Sequence, residues 1–147
     1  MKNRIYPRVL YAEDNKDGCL MITTMLGFSG IEVLVANTTA EALRLAQTEH
    51  FDLYLLDTRF PEGSGFELCR KLRETAPRTP IIFYSGEAYI GDKARGILAG
   101  ADAYLVKPDS DTIAATIFRL LKEKRKKVSP KLLKVVPGEI KIKENYL

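Results

Sequence analysis

The chain of 147 residues is 46% hydrophobic and 29% charged, the proportions of one ordinary globular domain. No apolar run approaches the roughly eighteen residues of a membrane span, and Met1-Lys2-Asn3-Arg4 leads into too few apolar residues for a secretory signal, so the cytoplasm is the expected compartment. Two cysteines, Cys19 and Cys69, fall in separate helical segments and read as free thiols. His50 is the single histidine, which excludes histidine-rich metal sites and leaves the chemistry to carboxylates, hydroxyls and lysines.

The net charge is +4, but it is unevenly placed. Residues 122–147 hold nine Lys/Arg against three Asp/Glu, which leaves 14 against 16 for residues 1–121. The body is therefore slightly acidic and the tail strongly basic. A run such as Lys122-Glu123-Lys124-Arg125-Lys126-Lys127 is most often a solvated helix end, where cations suit the negative end of the helix dipole. Nucleic-acid binding through this tail is the minority reading.

Val9 to Ala12 form a short apolar run that stops at Glu13-Asp14-Asn15, the pattern of a buried parallel strand ending in a polar loop. Lys16 to Leu26 carries apolar residues at helical spacing, with Leu20, Met21 and Met25 expected in the core, and Gly27 stands where a helix would close. Ile31 to Ala36 reads as a second strand, Thr38 to Gln47 as a second helix, and Leu53 to Leu56 as a third strand ending at Asp57. His50 lies in the preceding turn and is expected at the surface. Phe66, Leu68, Cys69 and Leu72 mark a third helix, and Ile81 to Tyr84 a fourth strand ending at Ser85-Gly86. A weaker fourth helix spans about Tyr89 to Ala99. Ala103 to Val106 follows as a fifth strand ending at Lys107-Pro108, and Thr112 to Leu121 as a fifth helix. Five strands alternating with five helices imply an α/β fold, a doubly wound parallel sheet covered on both faces.

In such sheets ligands sit outside the carboxyl ends of the strands. Here those ends carry Glu13-Asp14, Asp57, Ser85 and Lys107. Three carboxylates close together repel unless a hard cation sits among them, and an oxygen-only ligand set suits magnesium. A lysine and a hydroxyl beside that ion would neutralise and hydrogen-bond a phosphoryl group, which makes Asp57 the candidate acceptor.

These residues resemble the response-regulator receiver domains of two-component signalling and phosphorelays. The resemblance runs from about Arg8 to Leu121 and rests on Glu13-Asp14, on Leu55-Leu56-Asp57 with Pro61, Gly65 and Glu67-Leu68 after it, on Ser85-Gly86, and on Ala101-Asp102-Ala103-Tyr104-Leu105-Val106-Lys107-Pro108. It implies a flavodoxin-like (βα)5 fold and an aspartyl phosphate at Asp57, received from a sensor histidine kinase or phosphotransfer protein. It implies Mg2+, with Mn2+ as the alternative ion, held by Glu13, Asp14, Asp57 and the backbone carbonyl of Arg59. Ser85 and Lys107 would bind the phosphoryl oxygens, Lys107-Pro108 would be a cis peptide, and Tyr104 would turn inward as Ser85 moves toward the phosphate. Output would pass to a downstream protein through the face of the fourth helix, fifth strand and fifth helix, with a phosphorylation-dependent homodimer as a further state. Such a chain is a protein that is modified, not an enzyme that turns over substrate.

Three departures stand out. Ser85 replaces the family's more frequent threonine, which keeps the hydroxyl but frees the rotamer. Arg59 and Glu87 occupy positions flanking the phosphate and are expected to pair across the mouth and slow dephosphorylation. Asp109 stands where an apolar residue is usual and, with Ser110, is expected to cap the fifth helix. Residues 1–121 read as the receiver domain and 122–147 as a basic extension that is mobile or ordered by a partner, or the start of a further domain; Pro137-Gly138 could turn a small hairpin there, though an isolated hairpin is marginal in water. A haloacid-dehalogenase-type phosphatase would want a second aspartate two positions after Asp57, where Arg59 stands. A receiver-like interaction module that is never phosphorylated is the remaining alternative.

Overall fold

The structure, a computed structural model, describes residues 6–126; the hairpin expected around Pro137-Gly138 lies outside them. Five strands, β1 (Arg8–Ala12), β2 (Glu32–Ala36), β3 (Leu53–Leu56), β4 (Ile81–Ser85) and β5 (Ala103–Val106), form one parallel sheet in the order β2-β1-β3-β4-β5. Helices α1 (Lys16–Phe28), α2 (Thr39–Thr48), α3 (Gly65–Thr75), α4 (Ile90–Ala99) and α5 (Ile113–Lys126) alternate with them. The flavodoxin-like doubly wound fold expected from the sequence is the observed one. Alternation along each strand divides the core in two. Leu10, Ala12, Leu56 and Phe83 join one apolar cluster with residues of α2 and α3, while Val9, Tyr11, Leu55 and Ile82 join another with residues of α1 and α5.

Local signals set the helix starts. Asn15, Thr38 and Ser64 are N-caps whose side chains accept backbone N–H bonds from Gly18, Glu41 and both Phe66 and Glu67, respectively. The helix-one reading needs correction. Cys19, Ile22 and Leu26 are the buried residues of α1, whereas Leu20 is 69% exposed and Met21 50%. The segment is apolar around most of its circumference, so spacing alone leaves the inward phase undecided. Asp109 makes no side-chain capping bond either; a 3-10 turn, Ser110–Thr112, leads into α5 instead. That helix runs five residues beyond the expected end at Leu121, so the basic run begins inside it.

A short antiparallel ribbon, Arg59–Phe60 against Gly63–Ser64, follows β3 and leads into α3. Its close return over β3 depends on Gly65, where an added Cβ would collide with the Asp57 carbonyl oxygen and lie 2.8 Å from Thr58 Cα. Both obstacles are backbone, so neither can swing aside. Gly27, by contrast, has open space around its Cβ position in the last turn of α1. Gly65→Ala is therefore expected to lower unfolding stability by about 2 kcal/mol or more, and Gly27→Ala to raise it by up to about 1 kcal/mol through helix propensity. Urea unfolding of the two variants checks the opposite signs.

Candidate functional site

Strand register brings the site together. Ala12 of β1 is paired with Leu56 of β3, so Glu13 and Asp57 leave the sheet side by side. Backbone bonds from Glu13 N to Ala36 O at 2.9 Å and from Asp57 N to Ala12 O at 3.0 Å continue the ladders past the strand ends. Ser85, the last residue of β4, is paired with Val106, and its carbonyl accepts from Lys107 N at 2.8 Å. The expected edge of two acids, a third acid, a hydroxyl and a lysine is thus assembled at the crevice where the winding reverses between β1 and β3.

Glu13, Asp14 and Asp57 each offer a carboxylate oxygen, and these oxygens lie within 4.8 Å of one another. Glu13 is only 1% exposed and Asp57 is buried, while Asp14 faces solvent. Lys107 Nζ donates to Glu13 Oε1 at 2.7 Å and to Asp57 Oδ2 at 3.3 Å. Burial acts to lower the Lys107 pKa, but the hydrogen bond to Glu13 and the charges of Asp57 and Glu13 outweigh it and hold it above the usual lysine value. The other oxygens of Glu13 and Asp57 are also engaged. Asp57 Oδ1 accepts from Thr58 N at 2.7 Å, and Glu13 Oε2 from Asn15 N at 3.1 Å. Tyr11 donates its hydroxyl to Glu13 Oε1 at 3.3 Å, and burial, with the Glu13 charge, pushes that phenol well above its usual range. Burial and Glu13 also push the nearby Cys19 thiol up to about 11, so both cysteines being free and buried does not make this one reactive.

On the opposite side, the fully buried Ser85 hydroxyl lies 2.7 Å from Thr58 Oγ1 and accepts from Glu87 N at 3.0 Å. Tyr104 donates to the Glu87 carbonyl at 2.7 Å, and its ring packs 5.7 Å from that of Phe83, centroid to centroid. Burial raises the Tyr104 pKa, while a hydrogen-bonding contribution from Ser85 opposes the shift. Across the mouth, Arg59 Nε pairs with Glu87 Oε2 at 2.9 Å, the contact expected from the family resemblance. The Lys107-Pro108 peptide is cis.

Three neighbours escaped the sequence reading. Thr58 is a buried hydroxyl directly beside the acceptor candidate, and its polarity at the end of an apolar strand was the available signal. Gly96 allows Tyr104 its place, since a Cβ there would lie 2.9 Å from the Tyr104 ring and 3.0 Å from that of Phe83. Glu62 ties the ribbon to α2 by accepting from Thr39 N at 2.7 Å and Thr39 Oγ1 at 3.0 Å. Those bonds, the backbone one foremost, hold its carboxyl below the usual range. No sequence signal joins residues 62 and 39. His50 is exposed, as expected, beside Asp52.

Comparison with known proteins points the same way. A family model described as the response regulator receiver domain matches residues 9–118. The cell cycle response regulator CtrA of Brucella ovis is 35% identical over 119 residues, covering 80% of this chain and 51% of that protein, so the chain spans about half the length of the curated relatives it matches. Among solved structures, a CheY-like receiver domain protein from Methanospirillum hungatei superposes with a TM-score of 0.79 at 31% identity, covering 84% of this chain and 99% of that one. The receiver domain of the Francisella response regulator 1452 gives 0.75 at 33%, covering 80% and 98%.

The raised Lys107 pKa has a sign that can be measured. A base held more tightly in the folded than in the unfolded chain stabilises the fold fully below the unfolded value, about pH 10.5, and that contribution is lost as pH rises through the higher folded value. The stability difference between wild type and Lys107→Met is therefore expected to stay level through neutral and mildly alkaline pH and to narrow above about pH 10.5. Urea unfolding of both proteins over that range measures it.

Proposed function

Because the chain belongs to the response-regulator receiver family, we propose that it is a phosphoacceptor switch in which Asp57 takes a phosphoryl group from a sensor histidine kinase or a phosphotransfer protein. One observation carries this reading: the Lys107 ammonium is shared between buried Glu13 and Asp57, and the buried Ser85 hydroxyl stands at the end of the neighbouring strand. The three acids outweigh this one ammonium, so the arrangement suits a divalent cation first, and Lys107 together with that ion would neutralise a phosphoryl group. The fit to a divalent ion is also good, since three carboxylate oxygens within 4.8 Å form an oxygen-only set and exposed Asp14 leaves room for water. Glu13, Asp14, Asp57 and the Arg59 carbonyl would hold Mg2+, or Mn2+ in its place, which when bound neutralises the carboxylates and the incoming phosphoryl oxygens.

In the transfer, an Asp57 carboxylate oxygen forms the new P–O bond while the P–N bond to the donor histidine breaks, and the imidazole keeps that electron pair. Lys107 then has a phosphoryl oxygen to bind, and Ser85 a second. Arg59 and Glu87 close part of the mouth and hinder the water that would hydrolyse the acyl phosphate. The chain is modified in this reaction and is not a turnover enzyme. Within the described residues no helix is long and apolar enough to cross a membrane.

The switch would be read out through α4, β5 and α5, by a downstream protein or a second copy of the chain. Supporting this, Ile90 and Leu98 on α4 are 76% and 86% exposed, and Phe118 on α5 is also exposed. Tyr104 of β5 connects the face to the site through Glu87. Phosphorylation then shifts a two-state population by contacts that one state alone offers.

Intact-protein mass spectrometry after incubation with acetyl phosphate tests the acceptor. One phosphoryl adduct is expected, dependent on Mg2+ and lost in Asp57→Ala; an adduct that persists in Asp57→Ala, or none in the folded wild type, would refute the reading. Arg59→Ala is expected to shorten the adduct's half-life by up to about fivefold, the scale of a largely exposed ion pair, as followed by the decay of the phosphorylated mass.

A further inference from the structure

Beyond the five residues that carry the proposed switch, a sixth side chain enters the phosphoryl-binding half of the site. Thr58 is 3% exposed and Ser85 fully buried, and their hydroxyl oxygens stand 2.7 Å apart. Ser85 lacks the methyl that would restrict a threonine at χ1, so neighbouring groups must fix its rotamer. Two do so: Thr58 Oγ1, and the Glu87 N–H that donates to Ser85 Oγ at 3.0 Å. Two hydroxyls bring two protons, and the bond between them uses one. A serine oxygen has two lone pairs and one proton. If Thr58 is the donor, both lone pairs of Ser85 are filled, by Thr58 and by Glu87 N–H, and the Ser85 proton is left to point away from both.

We propose that Thr58 is a positioning residue for the phosphoryl group: its hydroxyl donates to Ser85, and the Ser85 proton is thereby directed to a phosphoryl oxygen on Asp57. In the unphosphorylated site either hydroxyl can be the donor. A phosphoryl oxygen accepts from Ser85 and selects one direction, giving the chain Thr58 O–H to Ser85 O–H to phosphoryl oxygen, in which each bond polarises the next. Glu87 touches the same pair, its N–H donating to Ser85 and its carbonyl accepting from the Tyr104 hydroxyl. The Ser85-for-threonine departure thus has a compensation one residue after the acceptor.

This inference rests on the phosphoacceptor reading, and beryllofluoride with Mg2+ serves as a stable mimic of the phosphoryl group to test it. Calorimetric titration of wild type, Thr58→Val, Thr58→Ser, Ser85→Ala and the Thr58→Val/Ser85→Ala double variant gives the affinities. Thr58→Val is expected to weaken Mg2+-dependent beryllofluoride binding about fivefold, the worth of roughly one net hydrogen bond. Its affinity for Mg2+ alone should be unchanged, Thr58→Ser should restore the wild-type value, and Thr58→Val should add nothing in the Ser85→Ala background. Thr58→Ala takes the place of valine if that variant does not fold. Wild-type affinity in Thr58→Val, an equal loss in the Ser85→Ala background, or a matching loss of Mg2+ affinity would overturn the role of Thr58 while leaving the switch intact. Failure of folded wild type to bind beryllofluoride with Mg2+ would overturn both.

Discussion

Two buried carboxylates forced together by strand register are the constraint around which this protein is arranged. Because Ala12 faces Leu56 across β1 and β3, Glu13 and Asp57 must emerge as neighbours, and burial leaves Glu13 almost no water with which to share its charge. The ammonium that answers them comes from just past the end of β5, and the bond from Lys107 N to the Ser85 carbonyl fixes where its side chain begins. A single cation beside three acidic side chains leaves a deficit of positive charge. Such a site favours a divalent cation, which brings these charges close to balance and lets a phosphoryl group on Asp57 be tolerated. The electrostatic imbalance is thus a property of the register, and the divalent cation proposed for the site would be its relief.

How that relief reaches the surface depends on a short set of hydrogen bonds. Ser85 lies at the end of a buried strand, Glu87 two residues later in the loop before α4, and Tyr104 on the neighbouring strand. Glu87 contacts all sides of this junction: its N–H meets Ser85, its carbonyl meets Tyr104 and its carboxylate meets Arg59. The half-buried Tyr104 ring occupies space that Gly96 leaves open on α4, so a change in the loop cannot occur without consequence for ring packing. Close packing converts a small movement at the acceptor into a choice between discrete arrangements of this junction.

The strands and the residues at their ends were legible because a parallel sheet buried on both faces writes continuous apolar runs, and each run here stops abruptly at Glu13, Asp57, Ser85 or Lys107. The inward face of α1 was not legible. Leu20, Met21 and Ile22 are consecutive and apolar, yet only the third is buried, and the choice is made by the phase that also buries Cys19 and Leu26. The ribbon after β3 was hidden for a different reason, since two-residue strands leave no period to read. Contacts such as Glu62 with Thr39 or Gly96 with Tyr104 arise from tertiary proximity between segments whose local patterns say nothing of each other.

Thr58 and Ser85 show how one constraint can be met by two kinds of force. A threonine at position 85 would limit its own rotamer through the steric bulk of a methyl group, a restriction present in every state of the protein. A serine there is held instead by hydrogen bonds from outside itself, to Thr58 and Glu87. The Thr58–Ser85 bond can reverse direction as the charge at Asp57 changes, whereas a methyl cannot. The restriction on the switch hydroxyl therefore becomes conditional on what occupies the site. Moving the restraint from a covalent branch into a hydrogen-bonded pair keeps the hydroxyl in place before a phosphoryl group arrives and leaves its proton free to be claimed when one does.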